Sequence, residues 1–280
     1  MIIFKKIAAL QDTLNRQREM GMIGFVPTMG ALHQGHLQLI EASKRENHIT
    51  VASIFINPSQ FNDPKDFQKY PVTLEKDIES LLKAGCDILF LPTQDEVYPA
   101  GLNENVHFDL GQLDRVFEGK FRPGHFQGVC RVVNRLLDIV KPVNLYMGQK
   151  DYQQCMVIKK LLVLTGRDTK LHICETVREP GGLAMSSRNM RLSEEEKISA
   201  RAIFNALQYC QQYFKSDNLA RVQQEAKEML TQNGFRIDYL EFAHALDLQP
   251  IDKWKGEPVV VLVAAFLDDV RLIDNKVMAV

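Results

Sequence analysis

The sequence predicts an α/β fold, a doubly wound parallel sheet followed by a smaller C-terminal α+β domain. Three observations carry this. Over the first two-thirds of the chain, short apolar runs rich in β-branched residues alternate with stretches of helical periodicity, the pattern of parallel strands joined by helical crossovers. The cluster Glu179-Pro-Gly-Gly182, the strongest breaker in the sequence, then interrupts the alternation. Beyond it, two helical stretches precede three short strands.

Taken in order, residues 23–26 predict a strand, and 35–46 a helix that follows a glycine-containing turn. Residues 49–56, rich in β-branched side chains, predict a second strand. A helix near 74–84 precedes a third strand at 88–91, and a loop-rich stretch containing Tyr98-Pro-Ala-Gly101 comes next. Helical periodicity over 126–140 stops before Pro142, as a helix should. Strands at 143–147 and 171–176 flank a helix at 152–164. Past the breaker cluster come helices at 193–214 and 219–233, then strands at 237–242, 259–267 and 270–273. Asp268-Asp269 supplies the tight turn between the last two. The hinge is placed at the cluster, dividing the chain into domains 1–178 and 179–280.

Bulk properties exclude several function classes. Of 280 residues, 45% are hydrophobic and 25% charged, enough for a sizeable core. With 34 basic and 35 acidic residues the formal charge is −1, which leaves no electrostatic footprint for nucleic acid or an anionic membrane. The five cysteines are scattered, odd in number and never spaced as CxxC. That argues against a disulfide framework or zinc site and for a reducing, cytoplasmic setting. The first ten residues are broken by Lys5 and Lys6 and lack a signal-peptide core. The apolar run 259–267 is too short to span a bilayer and reads as a buried strand.

The most informative segment is Pro27-Thr-Met-Gly-Ala-Leu-His-Gln-Gly-His36, between the first predicted strand and the first predicted helix. In an open parallel sheet, ligands bind at the carboxyl ends of strands. A helix N-terminus there offers free N–H groups and partial positive charge, which suit phosphate. His33 and His36 are three apart, so both can face one anion, donate hydrogen bonds to it and move a proton. A plain βα turn with two surface histidines is the bland alternative. Two histidines spaced as HxGH at a strand–helix junction outweigh it.

His33-Gln-Gly-His36 resembles the HxGH signature of nucleotidylyltransferases and class I aminoacyl-tRNA synthetases, enzymes that attack the α-phosphate of a nucleotide. Their second signature, a mobile KMSKS-type loop after the last strand of a Rossmann-like domain, is matched in place by Met185-Ser-Ser-Arg-Asn189. Longer strings are more specific. Thr28 to His36, Ser53-Ile-Phe-Ile-Asn-Pro-Ser-Gln-Phe61, Asp66-Phe-Gln-Lys-Tyr-Pro71, Phe121-Arg-Pro-Gly-His-Phe126, Gly148-Gln-Lys-Asp-Tyr-Gln-Gln154 and Gly182-Leu-Ala-Met-Ser-Ser-Arg-Asn189 resemble the pantothenate synthetase family, in the family's order. Val72, Val143 and Pro180-Gly181 depart from its pattern without removing a group assigned to chemistry.

The resemblance implies an ATP-dependent ligase that joins pantoate to β-alanine through a pantoyl-adenylate, using Mg2+ and working as a homodimer. It implies a nucleotide- and pantoate-binding first domain under a C-terminal lid domain. Met29, Gly30, Ala31, Leu32, His33, Gln34, Gly35 and His36 would contact ATP, with His36 the proton donor. Gly148, Gln149, Lys150 and Asp151 would hold phosphates and ribose, Val177 adenine through its backbone, and Met185, Ser186, Ser187 and Arg188 the triphosphate. Gln60 and Gln154 would bind pantoate, with Gln60 bordering β-alanine. His33, His36, Lys150 and Arg188 form the implied catalytic set; magnesium ligands are left open. The physics agrees, since charge accumulating on the α-phosphate and the leaving pyrophosphate calls for converging cations and N–H donors.

Other residues receive plain readings. Arg122 and His125 would cap the helix that starts near Phe126. Asp77 reads as a helical surface acid rather than an aid to magnesium. Asn57 and Tyr70 are turn or packing residues that can also line a pocket. His48, His107, His172 and His244 carry no assigned chemistry. The rival readings are another HxGH nucleotidylyltransferase and a non-enzymatic nucleotide-binding module; the strings around Gln60 and Gln154 oppose the first, and the joint HxGH, GxKD and MSSR set opposes the second.

Overall fold

Six parallel strands form one sheet: β1 (Ile2–Phe4), β2 (Ile23–Thr28), β3 (Ile49–Ile54), β4 (Ile88–Phe90), β5 (Asn144–Gly148) and β6 (Lys170–Cys174). Their spatial order is β1-β4-β3-β2-β5-β6. The computed structural model describes residues 1–61, 68, 70–100 and 106–278. Positions 66, 67 and 69 of the string Asp66 to Pro71, and Gly101 of the loop-rich stretch, lie outside the described residues.

The strands read as continuous apolar runs because both faces of the sheet are covered. Ile23, Phe25, Val51, Ile88, Phe90 and Leu145 point into one buried cluster, and Val26, Ala52, Leu89 and Tyr146 into the other. The covering helices are α1 (Ile7–Arg18), α2 (Gln34–Glu46), α3 (Leu74–Lys83), α4 (His125–Val140) and α5 (Tyr152–Leu164). Winding runs from β2 through β3 and β4 to one side, and from β5 to β6 to the other. The reversal lies between β2 and β5, which pair directly, and such a switch point opens a crevice at the strands' carboxyl ends.

The C-terminal unit contains α6 (Glu194–Tyr213), α7 (Leu219–Gln232) and an antiparallel sheet of β7 (Phe235–His244), β8 (Val259–Leu267) and β9 (Val270–Met278), with β8 central. Alternate residues of β8 explain its unbroken apolar run. Val259, Val261, Val263, Ala265 and Leu267 pack with α6 and α7. Val260, Leu262 and Ala264 pack into the same cluster as Val129, Val133 and Tyr152 of the first unit. The two units therefore share a core.

Several elements differ from the sequence expectation. β1 and α1 were not expected; β1 has three residues and α1 buries only Leu10 and Leu14 fully, too little pattern to read. β7 extends two residues further at each end and carries a register shift between Ile237 and Tyr239. β9 runs on to Met278 through the buried polar pair Asp274 and Asn275. The breaker cluster forms a tight turn, with Gly181 and Gly182 at φ 102° and 97°. A side chain at Gly182 would overlap the ring of Phe204 on α6, so the turn is packed against the C-terminal unit.

Candidate active site

The loop after β2 is built around a buried acid. Gly30 and Ala31 both adopt positive φ, 83° and 49°, which is costly for alanine. The conformation turns two successive N–H groups toward one point, a nest for an anion. The protein fills that nest itself. Ala31 N and Leu32 N donate to the two oxygens of Asp77 at 2.9 and 2.8 Å, and Thr73 Oγ1 donates to Oδ1 at 3.1 Å. Asp77 is 1% exposed. This corrects its reading as a surface acid, and both oxygens are committed to the loop rather than to a metal.

The two histidines cap α2 reciprocally. His33 Nδ1 accepts from Gly35 N at 3.2 Å, and His36 Nδ1 accepts from His33 N at 3.3 Å. Each Nδ1 therefore lacks a proton, and each neutral ring carries it on Nε2. The rings lie 4.1 Å apart. Burial, then the neighbouring His36 and Lys150, lower the His33 pKa to about 3; burial chiefly, with Lys150, lowers that of His36 to about 4. Both are neutral hydrogen-bond donors at neutral pH.

The turn after β5, Gln149–Asp151, leads into α5. It is held from the other unit. Asn275 of β9 donates through Nδ2 to the carbonyls of Gln149 and Lys150 at 2.8 and 2.9 Å, and Gln149 Nε2 donates to Asn275 Oδ1 at 3.2 Å. Lys150 Nζ stands 3.6 Å from Asp151 Oδ1. Neighbouring Asp274 receives two N–H groups of Arg178, at 2.6 and 3.1 Å. Ser186 caps the short turn Ser187–Arg191, accepting from Arg188 N at 3.2 Å, and Ser187 hydrogen-bonds the Tyr70 side chain.

Gln60 closes the turn Pro58–Gln60 after β3. A Cβ at Gly128 would overlap the Ser59 carbonyl oxygen, so glycine lets α4 lie directly on this turn. Asn57 is buried and donates to Gly128 O at 3.4 Å and Ser59 Oγ at 3.0 Å. His125 Nδ1 lies 2.7 Å from Gln60 O, and Arg122 Nη1 lies 3.1 Å from His125 Nε2. Neither side chain caps α4, contrary to expectation; Gly124 in the left-handed region precedes the helix. Arg122 also approaches Glu118, at 3.6 Å. Glu118 receives a bidentate pair from Arg271 at 2.7 and 2.9 Å and the Tyr239 hydroxyl at 2.9 Å. Burial pushes the Glu118 carboxyl up, but hydrogen bonding and charge from Arg271 outweigh it, holding the pKa at about 2. Asp238, at the β7 irregularity, accepts from Arg271 Nε at 2.7 Å.

These loops converge on a cavity of 240 Å³. Its lining includes Met29, His33, Gly35, His36, Gln60, Gly148, Lys150, Asp151, Gln154, Val177 and Met185, Ser186, Ser187 and Arg188. Gly30, Ala31, Leu32, Gln34 and Gln149 are absent from the lining and form the turns behind it. Tyr70, Arg122 and His125 line the cavity; Asn57 does not. Gln153 and Gln154 both line the cavity; Gln153 is buried and its amide is taken up by the Glu118 N–H, at 3.0 Å, and by the Leu113 and Val116 carbonyls, at 2.9 Å each. An adjoining cavity of 610 Å³ shares Lys150, Asp151, Ser186 and Arg188 and adds Arg191, Arg236 and Arg271. Sequence reasoning misread Asp77 and missed Glu118, Arg271, Asp274 and Asn275. The readable trace was an Asp-Asn pair interrupting an apolar strand pattern.

A switch-point crevice, neutral histidine donors and converging cations define an α/β protein built to receive a polyanion beside a polar substrate pocket. The chain belongs to the pantoate–β-alanine ligase family, whose model matches residues 2–277. A pantothenate synthetase of Cytophaga hutchinsonii is 44% identical over 266 residues, 94% of this chain and 93% of that protein. One from Pseudothermotoga lettingae is 41% identical over 281 residues, 99% of each. The crystal structure of pantothenate synthetase from Thermus thermophilus superposes with a TM-score of 0.92 at 40% identity, covering 99% of both chains. That of pantoate–β-alanine ligase from Francisella tularensis, complexed with β,γ-ATP and β-alanine, gives 0.82 at 37%, covering 99% of this chain and 97% of that one.

Proposed function

We propose that the chain condenses pantoate with β-alanine at the expense of ATP, through a pantoyl-adenylate, releasing AMP and pyrophosphate. One observation carries this reading. The HxGH histidines, Lys150, Arg188 and both glutamines line one cavity in a chain matched over almost its whole length by this family.

In the first step a pantoate carboxylate oxygen attacks the α-phosphorus, the bond to the bridging oxygen breaks, and pyrophosphate leaves. Gln60 and Gln154 hold pantoate through amides, each offering a donor and an acceptor to a hydroxyl. Lys150, Arg188, Ser186 and Ser187 receive the phosphates; Asp151 takes a ribose hydroxyl, and the Val177 backbone meets adenine. His33 and His36 donate from Nε2 toward the oxygens where charge develops, which fits their fixed tautomers better than a cationic role. In the second step the β-alanine amine attacks the acyl carbon beside Gln60, and AMP departs.

Magnesium fits as an ion carried by the triphosphate. Among the described residues no cluster of three or more metal-ligating side chains occurs, and magnesium commonly rides on substrate phosphates with one or two carboxylates. Asp151 and Glu175 are the carboxylates of the smaller cavity with no arginine partner among the described residues. When bound, the ion neutralises charge on the β- and γ-phosphates.

The further expectations stand as proposals. The domain boundary at 178/179 is supported by packing of the 179–182 turn on α6. A homodimer is supported by β6, an edge strand with Ile173 37% exposed. A cytoplasmic setting is supported by five free thiols, four of them buried. Product analysis with ATP, pantoate and β-alanine, each omitted in turn, tests the function: AMP release should require all three. Enzyme, MgATP and pantoate alone should exchange labelled pyrophosphate into ATP, and exchange that needs β-alanine would refute an independently formed adenylate.

A further inference from the structure

The site contains a third histidine whose ring nitrogens are arranged oppositely to those of the HxGH pair. Arg122 Nη1 approaches His125 Nε2 at 3.1 Å, and a guanidinium has only donors, so Nε2 must accept. His125 Nδ1 approaches the Gln60 carbonyl oxygen at 2.7 Å, and that oxygen only accepts, so Nδ1 must carry the proton. The two contacts admit one tautomer, Nδ1–H. They also occupy both ring nitrogens, leaving His125 no polar atom for a substrate although its ring lines the cavity.

The chain of contacts continues into the other unit. Arg122 lies 3.6 Å from Glu118, which is gripped by Arg271 of β9. Arg271 is itself aimed by Asp238, the residue at the β7 register shift. A bulge is a device for re-aiming a side chain beside a site. The Pro58–Gln60 turn is also tethered to α4 through Asn57 and the close approach of Gly128 to Ser59 O and Gln60 Cα, and Phe61 N donates to Pro58 O at 3.1 Å; the Gln60 carbonyl oxygen itself is met by His125.

We infer that His125 is a positioning residue for the acid substrate: fixed in one tautomer by Arg122, it holds the Gln60 peptide, and Arg271 on the C-terminal sheet sets the same contact through Glu118. The inference rests on the reading that Gln60 binds pantoate. It gives the C-terminal unit a part in shaping the pantoate pocket, beyond covering the nucleotide.

The test compares His125→Asn, His125→Gln and His125→Ala, with KM measured separately for pantoate and ATP. An asparagine amide nitrogen stands near the place of Nδ1 and retains the donor; a glutamine amide extends to the place of Nε2 and does not. His125→Ala and His125→Gln should raise KM for pantoate tenfold or more with KM for ATP changed less than twofold, and His125→Asn should recover most of the loss. Arg271→Lys should raise KM for pantoate in the wild-type background but not in His125→Ala. If His125→Ala leaves KM for pantoate unchanged, raises both KM values equally, or is matched by a folded His125→Asn, the inference is overturned. Should alanine or glutamine fail to fold, recovery in His125→Asn against Arg271→Lys still decides it. Failure of the functional reading is separate, because wild-type enzyme would then release no AMP with pantoate and β-alanine.

Discussion

The loops after β2 and β5 stand side by side at the switch point, yet they are held by opposite means. The first is stabilised from within its own unit, by Asp77 filling the nest at Ala31 and Leu32 and by two histidines capping each other. The second is held from outside, by Asn275 of the C-terminal sheet on the carbonyls of Gln149 and Lys150. The anchors of the histidine end therefore come from its own unit, whereas the position of Lys150 depends on the shared interface. The difference separates a pre-organised donor pair from a cation whose placement reports on domain packing.

The largest effect should come from breaking the first anchor. Asp77→Ala leaves the buried Ala31 N–H and the part-buried Leu32 N–H without an acceptor, at roughly 1–3 kcal/mol each, or about 4 kcal/mol together. Thermal unfolding should show a fall of about 10 °C, and pyrophosphate release should drop with it. Added magnesium should restore neither; restoration would return Asp77 to the role of metal ligand. His36→Ala leaves the Asp77 anchor of the loop in place but removes the Nε2 donor, together with the acceptor for the His33 N–H. Turnover should fall about a hundredfold, near 3 kcal/mol, with little change in KM for ATP. A loss confined to KM would make His36 a ground-state contact.

Acidity sharpens the same comparison. The folded pKa of His36, about 4, lies below the ordinary value of 6.5. Between these values the unfolded chain holds the extra proton, so stability is complete above 6.5 and declines as pH falls toward 4. Each such proton contributes a slope of about 1.4 kcal/mol per pH unit. Glu118, held at about 2, loses its contribution only at lower pH, as acid approaches that value from the carboxylate range. His36→Asn keeps an acceptor for the His33 N–H and cannot titrate. Its urea-unfolding free energy between pH 4.5 and 6.5 should be flatter than wild type by one proton. Parallel curves would show that His36 is not the group responsible.

The contrast also explains what was legible in the sequence. The HxGH histidines, the strands on either side of them and the helix 152–164 follow from local pattern, since the histidine caps span two or three residues and the strands and helix are continuous apolar runs. The span Tyr152–Leu164 matches its expectation residue for residue. Asp77 was misread because its partners are 45 and 46 residues away and no local signal marks a helical aspartate as buried. β9 was cut short at Ile273 because Asp274 and Asn275 break its apolar rhythm. They are tolerated there because Arg178 and the turn after β5 satisfy them. Glu118 and Arg271 are 153 residues apart and meet only once the two units pack. Polar residues that spoil a strand pattern were the visible mark of the interface.

The smallest expected effect tests the second anchor. Asn275 lines the cavity and contacts the Gln149 side chain as well as two main-chain carbonyls, and its removal changes no charge there. Asn275→Ala frees the Gln149 and Lys150 carbonyls, whose bonds to Asn275 are only part-buried, so water can take its place. The cost should therefore be near 1 kcal/mol, the net worth of ordinary hydrogen bonds, rather than the full penalty of a buried orphan. The unfolding temperature should move only a few degrees. The functional cost falls on Lys150, whose backbone is no longer fixed, and KM for ATP should rise up to about tenfold while KM for pantoate holds. Asn275→Asp should do no better, because a carboxylate cannot donate to a carbonyl and adds negative charge beside the phosphates. In a Lys150→Ala background the effect of Asn275→Ala on ATP should shrink toward zero, since the group it positions is gone. Full additivity would mean that Asn275 acts on the fold generally, and the proposed dependence of Lys150 on the C-terminal sheet would fail.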